Sequence, residues 1–112
     1  LKAGDIFFVD LEPTIGREQR GVRPVFLITA EPFNKQTGTA IIAAITNGGQ
    51  FARRIGVAVE LTGTGTQTTG VIRCDQVRTL DLSARGARFV ESAPPEVLAR
   101  VLNTLVGILV NA

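Results

Sequence analysis

The apolar runs of this 112-residue chain are short, and each is stopped by turn residues. Residues 6–9 form a β-branched and aromatic run between Gly4-Asp5 and Asp10, which reads as a strand. Residues 25–29 and 39–45 are apolar on both faces and read as buried strands, the second ended sharply by Thr46-Asn47-Gly48-Gly49. Residues 56–61 alternate, residues 70–73 and 76–80 read as one bent strand, and residues 87–90 as a last short one. Between them, residues 11–23 carry Pro13, Gly16 and Gly21 with no period, the mark of a long ordered loop. Residues 31–38 read as a turn or one helical turn, and residues 81–85 as another. The polar stretch 62–67 lacks a Gly-Lys-Ser/Thr ending and no helical pattern follows it, so it reads as a hairpin connection rather than a phosphate loop. Pro94-Pro95-Glu96 opens the single long helical pattern, with Leu98, Val101, Leu102, Leu105 and Leu109 on one face. The runs are too short, and helices too few, for a parallel doubly wound sheet. The expected fold is one mainly β domain spanning residues 1–112: a small, partly open β-barrel with a C-terminal α-helix packed on it.

Composition narrows the chemistry. The chain has no His and a single cysteine, Cys74, so a His/Cys zinc site, a Ser-His-Asp triad and a Cys-His dyad are excluded. An internal disulfide is excluded too, which fits a reducing compartment. Catalysis would rest on Arg, Lys, Asp, Glu, Ser, Thr and backbone groups. Carboxylates do not cluster as a two-metal site requires, so no metal and no other cofactor is expected. The net charge is +2, and all basic residues but Lys2 and Lys35 are Arg, whose planar fork suits phosphate. The most apolar stretch, residues 97–110, is interrupted by Arg100 and Asn103 and is short for a bilayer. A soluble, cytoplasmic protein without membrane association is expected.

Three segments concentrate chemistry. In an extended strand Arg73 and Asp75 project to the same side and Cys74 to the other, toward the core. The pair is either a structural ion pair or a carboxylate held ionised beside a guanidinium poised over phosphate. The segment 16–24 presents Arg17, Arg20 and Arg23 among glycines, either as a solvated loop or as donors to a polyanion. In the segment 46–54, the Asn47 and Gln50 amides can read base edges, Phe51 can stack on a base, and Arg53 and Arg54 can meet phosphates. Its alternative is a hairpin loop tethered by one aromatic.

At these residues the chain strongly resembles the MazF/PemK family of toxins from bacterial toxin–antitoxin systems. The markers are Gly4-Asp5 with Asp10 to Pro13, Gly16 with Glu18-Gln19, and Gly21 with Arg23-Pro24. Thr46, Gly48-Gly49, Phe51-Ala52-Arg53, the block from Thr68 to Gln76, Arg78-Thr79, Asp81 and Ala84-Arg85-Gly86 complete them. The resemblance implies a homodimeric SH3-like barrel that cuts single-stranded RNA at short motifs and is restrained by a cognate antitoxin. It implies a catalytic set of Asp75, Arg73, Arg23, Thr46 and Arg17, and RNA contacts at Gln19, Asn47, Gly48, Phe51, Arg53, Thr69 and Val71. One branch of the family uses a histidine as acid where this chain has Arg17, and a guanidinium is a very poor proton donor near neutral pH. Two other functions compete: an RNA- or protein-binding barrel that no longer cuts, and a topoisomerase poison. The toxins of the latter kind use a tryptophan near the C-terminus, and this chain has none.

Overall fold

The structure, a computed structural model, describes residues 1–110. Strands β1 (Asp5–Asp10), β2 (Val22–Leu27), β3 (Ala40–Thr46), β4 (Ala58–Glu60), β5 (Val71–Leu80) and β6 (Arg88–Ser92) form one sheet in the order β4-β5-β3-β2-β1-β6. Every pairing is antiparallel, and the edge strands β4 and β6 do not meet, so the barrel stays open. Helix α1 (Glu31–Thr37) joins β2 to β3, α2 (Gln50–Arg54) joins β3 to β4, and α3 (Pro95–Val110) follows β6. Among the described residues, no helix is long and apolar enough to cross a membrane.

Both faces of the sheet are covered. On one, Ile6, Phe26, Ala43, Ile45, Ile72 and Cys74 pack beneath Val97 and Val101 of α3. On the other, Phe7, Val9, Val25, Leu27, Ile42 and Ala44 are closed over by Leu11, Leu80 and Leu82. This is why β3 lacks alternation: its inner residues meet apolar partners on both sides. Helix α3 buries Val97 and Val101 but leaves Leu102, Val106 and Leu109 exposed.

The structure departs from the sequence reading in three connections. Residues 50–54, read as part of a loop, fold as α2. A helix of little more than one turn is too short for its period to show. Its start is set by Gly49 at φ 78°, whose carbonyl accepts from Arg53 N–H at 2.9 Å, and it buries Ala52 completely. Helix α1 runs for about two turns rather than one and ends at left-handed Gly38, whose N–H bonds the Asn34 carbonyl. Strand β4 is limited to three residues.

Gly70 fastens the polar 62–70 connection to the end of β3. Its φ of 106° is one that side-chain-bearing residues rarely adopt, and a Cβ there would collide with the Thr46 carbonyl. Gly63 has a similar φ of 88° but nothing within 4 Å. Gly70→Ala is therefore expected to lose roughly 2–4 kcal/mol in urea unfolding, strain plus displacement, against about 1–2 kcal/mol for Gly63→Ala, strain alone. Equal losses would show that the contact with Thr46 carries no weight.

Candidate active site

The site is built on an irregularity in β5. Along the β3–β5 ladder Ala43 faces Val77, but the next residue, Ala44, faces Arg73, so Cys74, Asp75 and Gln76 are inserted between two consecutive rungs. The inserted residues stay extended, with Cys74 N–H bonding the Val57 carbonyl at 2.9 Å on the β4 side. Cys74 points into the α3-side core and is buried, which pushes its thiol up to about 11, the Asp75 charge adding to the effect. It is a small buried hydrophobe rather than a nucleophile.

Arg73 and Asp75 meet on the opposite face in a two-pronged pair. Arg73 Nε donates to Asp75 Oδ1 at 2.8 Å and Nη2 to Oδ2 at 2.6 Å, with both side chains largely sheltered. These hydrogen bonds outweigh the opposing desolvation and hold the Asp75 carboxyl below the usual carboxylate range. Arg73 lies across from Ala44, which lies across from Val25. Two residues along the same face, β2 carries Arg23 near its start and β3 ends in Thr46, so β3 alone separates the pair from Arg23.

Arg23 and Thr46 line a depression of about 230 Å³ with Asn47, Thr69, Phe8 and Val22. The Arg23 guanidinium is oriented by the Arg20 carbonyl at 2.8 Å and the Ile45 carbonyl at 3.4 Å. Thr69 Oγ1 donates to Asn47 Oδ1 at 3.2 Å, tying the two rims together. Glu91 of β6 holds the approach to Thr69, accepting from Gln67 N–H, Thr68 N–H and Thr68 Oγ1 at 3.0, 2.8 and 2.7 Å. Val71 is fully buried, so only its backbone is available there.

The remaining candidates lie on α2 and on the long loop between β1 and β2. Phe51 on α2 is half exposed, with the Arg54 guanidinium 5.5 Å from its ring centre. Arg53 is engaged by Glu60 at 2.8 Å and by the Gly48 carbonyl at 2.9 Å, which shapes the turn after Thr46. Arg17 is exposed in the long loop between β1 and β2, and the Gln19 N–H donates to Gln76 Oε1 at 3.2 Å. Glu91 and Gln76 were missed as contributors, because a contact across 23 or 57 residues leaves no local signal in a single sequence.

Asp75 is expected to titrate below ordinary carboxylates in carboxyl-carbon NMR, and Arg73→Gln to move it up. A carboxyl lowered on folding stabilises above its unfolded pKa, and that contribution is lost as pH falls through the lowered folded value. The stability gap between wild type and Arg73→Gln should therefore narrow as the pH drops through that window. A gap independent of pH would show that the ion pair does not set the Asp75 titration.

Comparison with known proteins gives the family of the chain. Residues 2–109 match the family described as PemK-like, MazF-like toxin of type II toxin–antitoxin system. Endoribonuclease PemK of Escherichia coli is 46% identical over 109 residues, covering 97% of this chain and 82% of the relative. The crystal structure of MazF (Form-I) from Deinococcus radiodurans superposes with a TM-score of 0.84 at 29% identity, covering 97% of this chain and 96% of that one. MazE–MazF (Form-III) from the same organism gives a TM-score of 0.81 at 27% identity, with 97% and 95% covered. With the match running through the strand that carries Arg73 and Asp75, the chain belongs to the PemK-like, MazF-like toxins of type II toxin–antitoxin systems.

Proposed function

We propose that this chain is an endoribonuclease that cuts single-stranded RNA through the RNA's own 2′-OH. The observation that carries the reading is the Arg73–Asp75 pair on the same sheet face as Arg23 and Thr46. Asp75, ionised at neutral pH, takes the 2′-OH proton, and the oxygen attacks the adjacent phosphorus. Arg73 and Arg23 flank β3, two strand spacings across and two residues along, about 12 Å between backbones, within reach for two long guanidinium side chains converging on one phosphate. Thr46 stands between them. Attack by the 2′-oxygen breaks the bond to the 5′-oxygen of the next nucleotide, leaving a 2′,3′-cyclic phosphate and a 5′-OH. Arg17 stabilises the charge on the departing oxygen while water supplies the proton.

Recognition of the RNA is assigned to the rims. Gln19, Asn47, Gly48 and Thr69 offer hydrogen-bonding groups, Val71 its backbone, and half-exposed Phe51 a stacking surface. Arg53 supports this surface through its hold on the Gly48 carbonyl. A cognate antitoxin is the expected regulator, since MazF of this fold is found with MazE. An acidic segment lying across the arginine-rich face would exclude RNA. The exposed Leu102, Val106 and Leu109 of α3 support assembly as a homodimer.

The reaction needs no metal because the nucleophile is the RNA's own 2′-OH, Asp75 takes its proton and the arginines supply fixed positive charge. Purified protein incubated with a long RNA in EDTA should produce fragments with cyclic phosphate and 5′-OH ends. An oligonucleotide carrying a 2′-deoxy nucleotide at the cut should survive. Activity lost in EDTA and restored by Mg²⁺ would sink the mechanism.

Arg17→Ala is expected to lower kcat more than it raises KM, because charge on the leaving oxygen develops only in the transition state. Lacking a histidine acid, the wild type should hold its rate from neutral to mildly alkaline pH, and Arg17→His should introduce an alkaline decline. If Arg17→Ala raises KM alone, Arg17 is only a phosphate contact.

A further inference from the structure

The loop between β1 and β2 carries Arg17 and is fastened very differently at its root and at its tip. At the root, Arg78 Nη1 donates to the Leu11 carbonyl, and Arg85 Nη1 to the Asp10 and Glu12 carbonyls, each at 2.9 Å. The Glu12 carboxylate closes the loop on itself, accepting from Gly21 N–H at 2.8 Å and Thr14 N–H at 3.2 Å. Within the loop, the tip is closed only on itself, Ile15 N–H donating to Glu18 Oε1 at 2.8 Å and Glu18 N–H to the Ile15 carbonyl at 3.3 Å. It arches over a cavity of about 350 Å³ lined by Leu11, Ile15, Gln19, Gln76 and Val77, and Ile15 is 80% exposed. Apolar packing therefore does not hold the tip in place.

What reaches it from the sheet is the Gln76 carboxamide. Its Oε1 accepts from Gln19 N–H at 3.2 Å and its Nε2 donates to the Arg17 carbonyl at 3.4 Å. A carboxamide suits this task because it offers one acceptor and one donor on a rigid plane, matched to backbone groups two residues apart. Gln76 directly follows Asp75 within the inserted stretch of β5. The insertion thus sends Asp75 to the ion pair and its neighbour Gln76 to the loop, tying the backbone of Arg17 to the residue that follows Asp75.

We propose that Gln76 is a positioning residue: its two hydrogen bonds set where Arg17 stands relative to Asp75 and thereby the efficiency of cleavage. The effect on cleavage rests on the ribonuclease reading above; the effect on the loop does not. Gln76→Met, which keeps length and loses both hydrogen bonds, and Gln76→Ala are expected to lower kcat about 10-fold while KM stays within about 3-fold. In an Arg17→Ala background the same substitutions should change kcat by less than about 2-fold, because the group they misplace is already gone. A merely structural role would lower kcat equally in both backgrounds, and that result would overturn the proposal.

A second measurement is independent of catalysis. Trypsin should cut after Arg17 and Arg20 several-fold faster in Gln76→Met than in wild type, with the melting midpoint unchanged. An unchanged cutting rate would overturn the clamp whatever the kinetics show. If wild-type protein does not cleave RNA, the ribonuclease reading fails, and the trypsin rates still decide whether Gln76 holds the loop.

Discussion

An antiparallel ladder gives each residue one partner and sends successive side chains to opposite faces. Between Ala43 and Ala44 that rule is suspended, because Cys74, Asp75 and Gln76 are inserted into β5 without counterparts on β3. Irregularities of this kind bend a strand and re-aim its side chains. Here Cys74 still anchors the stretch in the core, so the backbone is held firmly while Asp75 and Gln76 are released toward the opposite face. The ion pair and the docking of the long loop both depend on that local insertion.

The electrostatics of the pair carry a tension. Arg73 keeps Asp75 ionised, which a base requires, and in the same act makes it a weaker base. In the proposed reaction the conflict eases on phosphate binding, because the guanidinium then divides its hydrogen bonds between two anions and releases part of its hold on the carboxylate. A site built this way is protected against protonation while empty and becomes more basic once its anionic substrate is present. The neighbouring Arg23 is oriented by the Arg20 and Ile45 carbonyls rather than by a carboxylate.

Much of the fold was legible because it rests on local rules. The strand runs, the turn residues at their ends and the apolar side of the last helix each state their role within about ten residues. The same holds for Arg73 and Asp75, since a spacing of two on a strand puts both on one face, and Cys74 between them goes to the core. Helix α2 was not legible: Gln50–Arg54 is shorter than the pattern that would reveal it, and Gly49 reads equally well as a loop residue. Nor were the roles of Gln76 and Glu91, which consist of what they touch across the fold rather than of what surrounds them in sequence. Arg53 illustrates the converse, a cation whose sequence neighbours suggest a phosphate contact while its geometry ties it to Glu60 and to the Gly48 carbonyl.

The burial of Cys74 gives the molecule an internal reporter. The chain's one thiol sits beneath the residue proposed as the base, buried and with its pKa pushed up to about 11, so it stays protonated at neutral pH. A thiol reagent in solution is therefore blind to the native state and reacts when β5 separates from its neighbours. The labelling rate would read out how often the sheet breathes at the site itself, separately from fraying at the ends of α3. A partner that clamps this face should slow that reaction without touching the sulfur, turning a chemically idle cysteine into a gauge of occupancy.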